Sequence, residues 1–289
     1  MTDVICIGEL FVDFVPASSV DGQWHYLPSP GGAPGNVAVG LAKLGHSTLM
    51  ISRTGRDAFG KLLTDALQGH GVDASGVIQA DSEKVGLSIV TLGADGDRSF
   101  LFYHDTPAEQ RLCEDDIVKA WRPEAKILHA GILPLASAQS AAAQRRAMDL
   151  ADASGMLISC DVNFRPALWD DPARMLLAGR EMIARSAIVK VSAEELEEIG
   201  GSADNDAILR SLWHEGLRLF SVTRGAQGAT LYTPSEKLEC AGYRVTAIDT
   251  TGAGDAYAAS ILSGVIRDVE PAGLLPMACA AGALAASRK

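Results

Sequence analysis

The sequence predicts an α/β fold with a mostly parallel central sheet, helices on both faces and a small β-strand lid. Three observations predict it. Short apolar runs alternate with helical stretches along most of the 289 residues. The runs are apolar throughout rather than alternating, as in strands buried on both faces. One region breaks this rhythm with the pattern of a hairpin.

The first strand reads over residues 4–8, a helix over 35–44 and the next strand over 47–52. Residues 126–130, 156–160, 187–191 and 217–222 are further buried-type strands, separated by Ala-rich helical stretches such as 140–151. Strands alternating with helices predict a parallel sheet covered on both sides. The hairpin spans 85–92 and 98–103 around Ala94-Asp95-Gly96-Asp97, where Asp-Gly favours a tight turn. Strand-like pieces within 10–27 can pair with it. Residues of about 10–30 and 85–104 would then form a lid at the carboxyl ends of the strands, where open α/β sheets bind ligands. With no internal repeat, low-complexity tract or linker, 1–289 is expected to be one domain.

Composition narrows the partners. Hydrophobic residues make up 47% and charged residues 21%, as in soluble globular proteins. A net charge of -11 supplies no basic field to attract nucleic acid or anionic lipid, so neither is expected as a partner. A phosphorylated substrate must be neutralised locally. Cys6, Cys113, Cys160, Cys240 and Cys279 form no C-x-x-C or zinc spacing, which suits reduced, mostly buried thiols. The six histidines show no metal spacing. No run of 18 apolar residues and no leader-like start occurs, so a cytoplasmic protein is expected.

The chemistry concentrates in Asp249-Thr250-Thr251-Gly252-Ala253-Gly254-Asp255, which opens an apolar helix of small residues. Glycines let main chain approach a ligand, and the unpaired N–H groups of a first helical turn favour an anion. Gly252, Ala253 and Gly254 thus suit a transferring phosphoryl group, and Asp255 stands where a general base belongs. The alternative is a stabilising first-turn acid after an ordinary tight turn. Gly31-Gly32 admits main chain to a polyol and Asn36 offers donor and acceptor, or the pair is a plain turn with Asn36 near a helix start. Gly55-Arg56-Asp57-Ala58-Phe59-Gly60-Lys61-Leu62 fits G-x-x-x-x-G-K, but Leu62 stands where a phosphate loop needs a hydroxyl.

DTTGAGDAYAASIL resembles the C-terminal signature of the ribokinase, or PfkB, family of carbohydrate kinases, and Gly31 to Ala38 resembles its N-terminal sugar-binding signature. The resemblance implies a ribokinase-like three-layer sandwich that uses ATP and magnesium. It makes Asp255 the catalytic base and Gly252, Ala253 and Gly254 the anion hole. Asp13, Gly31, Gly32, Asn36, Tyr103, Asn163 and Arg165 become sugar-site residues. Lys190, Ser192, Thr223, Gly225, Gly228 and Thr251 become nucleotide-site residues, with Ser192 replacing the family's usual Asn. Glu195 would hold magnesium through water, and Asp249 and Thr251 are candidates for a potassium site. For Glu195 the alternative is a solvated acidic face with Glu194, Glu197 and Glu198; for Arg165, a surface pair with Asp161 or Asp170; for Asp13, an exposed acid on an edge strand.

Fructose is the first-choice sugar, because GELFVDFVP, SFLFY and NFRPALW are similar to fructokinases; His104 stands where many of these have Arg. Ketodeoxygluconate is the rival, since Arg165 can hold its carboxylate, and a nucleoside is third, with Trp24, Phe100 or Phe102 as a cover. From another class comes a sugar-sensing protein without catalysis. Family members continue past Lys289, so a tail bearing adenine contacts is expected beyond it. A homodimer through the lid strands is a family-level expectation.

Overall fold

Alternation along the first strand decides the layering. In β1 (Val4–Ile7), Ile5 and Ile7 join one hydrophobic cluster, while Val4 and Cys6 join another on the opposite face. The same split recurs in β4 (Thr48–Gly55), where Leu49 and Ile51 point to the first cluster and Met50 to the second. A sheet with two apolar faces needs a helical layer on each.

The computed structural model describes residues 2–17, 23, 25–92, 98–103, 107–202 and 204–288. Between β1 and β4 lie β2 (Phe11–Pro16), β3 (Tyr26–Gly31) and α1 (Ala33–Lys43). Then come α2 (Ala58–Gly69), β5 (Asp73–Ala80), β6 (Gly86–Leu92), β7 (Arg98–Tyr103), α3 (Glu114–Ala120), β8 (Ile127–Ala130), α4 (Ala138–Ser154) and β9 (Leu157–Asp161). The chain continues through α5 (Pro172–Arg185), β10 (Ile188–Ser192), α6 (Ala193–Gly200), α7 (Asn205–Leu212), β11 (Leu219–Thr223), β12 (Ala229–Tyr232), β13 (Lys237–Cys240), α8 (Ala253–Ile266) and α9 (Pro271–Ala286). Residues of α3 to α7 fill the first cluster, and those of α1, α2, α8 and α9 fill the second.

The main sheet runs β13-β12-β11-β10-β9-β8-β1-β4-β5, parallel from β11 to β5. Its edge is antiparallel at β12 and β13, because only short turns join these strands and a parallel return needs a long crossover. From β1 the chain steps out to β4 and β5, then returns to β8 on the other side. The switch point therefore lies between β1 and β8, and the crevice beyond its carboxyl ends is where such sheets take ligands.

A second sheet, β3-β2-β6-β7, is built from the two stretches expected to form the lid. β2 pairs antiparallel with β3 and parallel with β6, and β6 pairs antiparallel with β7. The Asp95-Gly96 turn, Trp24 and His104 lie outside the described residues, as does the side chain of Phe100. The glycine stretch at 55–62 is a helix start: Asp57 Oδ1 accepts from the N–H groups of Phe59 and Gly60 at 3.0 and 2.9 Å. A carboxylate occupying the first-turn amides leaves no seat there for phosphate. Phe59 packs edge-on against Phe14, their ring centroids 5.7 Å apart.

Candidate active site

Two helices bring the first residues together. Asn36 and Gly40 lie four residues apart on α1, and Asp255 and Ala259 four apart on α8, so each pair shares a helix face. At Gly40 an added Cβ would stand 2.7 Å from the Ala259 Cβ, so only glycine lets the helices approach this closely. One turn up each helix, Asn36 Nδ2 donates to Asp255 Oδ2 at 2.7 Å.

Asp255 opens onto a cavity of about 670 Å³ at the carboxyl ends of the strands. Glu9, Asp13, Gly32, Asn163, Arg165 and Lys190 line it, with Phe11 and Phe102 along the second sheet and 247–252 and Gly254 opposite. Burial raises the Asp255 carboxyl to about 6, reinforced by Asp161 and opposed by Asn36, Lys190 and Arg165. Such an acid is charged at neutral pH and close enough to neutrality to take a proton. Burial also raises Asp13, whose Oδ1 accepts a hydrogen bond from Ser88 Oγ. Gly31 stands behind Asp13, where any Cβ would overlap its carboxylate. Asp13 is thus an inward acid held by β6, not an exposed one.

Lys190 Nζ donates to both oxygens of Asp161, at 2.9 and 3.0 Å. Burial would push this ammonium down, but Asp161, Glu195 and Asp255 outweigh it and hold its pKa above the ordinary value. A Cβ on Gly254 would lie 3.2 Å from this Nζ, so the cation stands against the first turn of α8. With Asp161 taken, Arg165 does not pair with it; its Nη1 donates to the Phe164 carbonyl at 3.0 Å. No carboxylate among the described residues lies within ion-pair distance of Arg165. Asn163 beside it adopts a left-handed backbone at φ 45°, which asparagine tolerates.

The turn into α8 is shaped by Gly252, the N-cap, at φ 76°. Thr251 N–H donates to Asp249 Oδ1 at 2.9 Å, and the Ala253 N–H donates to the Thr250 carbonyl at 3.2 Å. Ala253 therefore departs from the expected three-amide hole, because its N–H closes the preceding turn. Gly254 and Asp255, as second and third residues of the helix, have no i−4 carbonyl within it.

A second cavity of about 670 Å³ adjoins the first, and Ala247, Thr250 and Gly254 line both. It gathers Thr223, Gly225 and Gly228 with Ala253, Tyr243 and Cys279. Gly228, at φ 96°, lies where a Cβ would overlap the Cys240 carbonyl. Tyr243 and Cys279 carried no motif, and only the fold places them here.

Four expected residues fall outside both cavities: Gly31, which backs the Asp13 carboxylate instead of lining the space, and Tyr103, Ser192 and Glu195. Tyr103 is 59% exposed, because side chains alternate along β7 and Phe102 is the one turned inward. Ser192 caps α6 by accepting from the Glu195 N–H at 3.2 Å. Glu195 completes the capping box: Oε2 accepts from Ser192 N–H at 2.7 Å and Oε1 from Phe164 N–H at 2.8 Å. The solvated acidic face belongs to Glu194, Glu197 and Glu198. No group of three or more His, Cys, Asp or Glu able to hold a metal occurs among the described residues. Glu9 carries no motif of its own, yet it lines the cavity and is only 5% exposed.

The family model described as pfkB family carbohydrate kinase matches residues 1–289. The chain is 36% identical over 276 residues to probable fructokinase-7 of Arabidopsis thaliana, covering 93% of this chain and 80% of the relative. A crystal structure of fructokinase with bound ATP from Xylella fastidiosa superposes with a TM-score of 0.90 at 30% identity, covering 99% and 92% of the two chains. Fructokinase from Vibrio cholerae O395, in a form with fructose, ADP and calcium ion bound, superposes at 0.88 with 30% identity, covering 100% and 94%.

Proposed function

The chain belongs to the pfkB family of carbohydrate kinases, and on that footing we propose that it transfers the γ-phosphate of ATP to a hydroxyl of fructose. Two adjoining cavities that meet at the first turn of α8 carry this reading: one is ringed by polar groups around Asp255, the other is lined mostly by small residues. The relatives named fructokinase, and the related structure holding fructose and ADP, support the choice of sugar.

In this reading the sugar lies against Asp13, Gly32 and Asn36, with its acceptor hydroxyl at Asp255. Asp255 takes the hydroxyl proton as the sugar oxygen attacks the γ-phosphorus. The bond from phosphorus to the β,γ-bridging oxygen breaks, and ADP leaves. First-turn amides of α8 and the Lys190 ammonium face the charge that gathers on the phosphoryl oxygens. Thr223, Gly225 and Gly228 admit the nucleotide. Magnesium would be carried on the phosphates and water, since Mg²⁺ keeps several waters and needs few protein ligands; bound there, it would offset phosphate charge. Glu195 keeps free lone pairs for such a water, and Asp249 and Thr251 remain the candidate potassium site.

Arg165 favours a second acceptor, an acidic sugar such as ketodeoxygluconate, because its guanidinium lines the cavity without a carboxylate partner. No helix among the described residues is long and apolar enough to cross a membrane, and we place the enzyme in the cytoplasm. Leu27, Leu101 and Tyr103 are 64%, 53% and 59% exposed on the second sheet, which supports a homodimer through it.

A coupled ADP-release assay over fructose, ketodeoxygluconate, ribose and nucleosides tests the reading. The expected order puts fructose first in kcat/KM. Sugar binding without ADP from any of them would make the protein a sensor.

A further inference from the structure

Four carboxyls, Glu9, Asp13, Asp249 and Asp255, line the first cavity against two cations. One of those cations, Lys190, is spent on Asp161. The cavity therefore has more acids than compensating charge, and like charges held close in a low dielectric cannot all stay ionised. Which acid keeps its proton is decided by burial and by partners.

Glu9 has the least compensation. It follows β1 at the switch point, is 5% exposed, and its Oε2 is buried without a hydrogen-bond partner. Glycine at 32 is required beside it, since a Cβ there would overlap the Glu9 carbonyl. Three ionisable groups face it: Arg165 after β9, Asp255 on α8 and Glu109 in the turn Ala108–Arg111. Glu109 is itself 6% exposed and pushed well above its ordinary value by burial and by Glu9. Burial raises Glu9 to about 7, while its own N–H, Arg165 and the Ala33 N–H oppose the rise. Asp255, with Asn36 donating to it, sits lower, at about 6.

We infer that Glu9 is a positioning residue that works as the neutral acid, keeping a proton on the cavity floor so that of this facing pair it is Asp255 that is ionised to receive the hydroxyl proton. Sugar filling the cavity removes the remaining water from Glu9 and favours its uncharged form further. Fructose binding is thereby coupled to proton uptake. The inference rests on the first cavity being the sugar site.

Two measurements test it. Infrared difference spectra between pH 6 and 8.5 should show a protonated-carboxyl C=O band that Glu9→Gln removes. Should that variant fail to fold, Glu9→Asp should move the band's midpoint to lower pH. Calorimetry of fructose binding without nucleotide, in buffers of different ionisation enthalpy, should report up to about one proton taken up at pH 8. The Kd should weaken by about tenfold per pH unit above the Glu9 midpoint, the slope of one linked proton, and Glu9→Gln should flatten it. Absence of the Glu9 band at pH 6, or fructose binding without proton uptake in the unmodified protein, overturns the inference. A protein that neither binds fructose nor releases ADP with any sugar defeats the functional reading instead, and the infrared band then decides the proton's location alone.

Discussion

Asn36 and Asp255 stand 219 positions apart in the chain, and 2.7 Å separates the Asn36 amide nitrogen from the Asp255 carboxylate. This donor favours the ionised form of a carboxyl that burial raises to about 6. A base must be deprotonated to act, so activity should fall as pH drops through that value. Asn36→Ala removes the opposing donor and should shift the acid limb of the kcat/KM profile to higher pH. An unmoved limb would detach Asn36 from the ionisation of Asp255.

Replacing the base itself should separate chemistry from binding. Asp255→Asn keeps size and hydrogen-bonding capacity but cannot take the hydroxyl proton. Turnover should drop by roughly 10² to 10⁴, the usual worth of a general base, while the fructose Kd changes little. Rapid-quench turnover and calorimetry read the two quantities. Near-normal turnover would remove Asp255 from the role.

Gly32 combines φ 107° with close approach to the Glu9 carbonyl. Gly32→Ala therefore meets both backbone strain and a clash that no side-chain rotation relieves. A loss of roughly 1 to 3 kcal/mol in urea unfolding is expected from the strained backbone alone. Fructose affinity should fall with it, since Gly32 lines the same cavity.

Much of this fold was legible because its signals are local. Parallel strands buried on both faces write continuous apolar runs, and the two glycine signatures mark turns that need close main-chain approach. What stayed hidden depends on non-local geometry. Lys190 lies in an apolar strand, and nothing nearby in sequence reveals that it pairs with Asp161, 29 positions away. Tyr103 and Phe102 are adjacent, and only the register of β7 with β6 decides which turns inward. Glu195 reads as one acid among four, and its capping box appears once Ser192 is seen to end β10. Nothing near Glu9 in the sequence marks it, because burial of its carboxyl is a property of α1 and the 108–111 turn closing around it.

The second cavity should respond separately. Gly228→Ala puts a Cβ against the Cys240 carbonyl at φ 96°, where main chain cannot yield cheaply. The KM for ATP should rise several-fold with the fructose Kd, measured without nucleotide, unchanged. A variant altering both equally would show that the two cavities are not independent sites.

The pairing of Lys190 with Asp161 provides the sharpest contrast between stability and activity. Their side chains are only 13% and 3% exposed. Lys190→Met leaves a carboxylate buried without its cation, a change that typically costs about 3 to 5 kcal/mol. Removing both charges, as in Lys190→Met with Asp161→Leu, should recover much of that loss, because an apolar pair of similar volume needs no compensation. Activity should not return with it, since the ammonium beside Gly254 is gone and phosphoryl charge loses its nearest cation. Urea unfolding and ADP release on both variants check this. A double variant as unstable as the single one would mean that Lys190 holds the fold through more than Asp161. An active double variant would mean that the first-turn amides of α8 stabilise the phosphoryl group unaided.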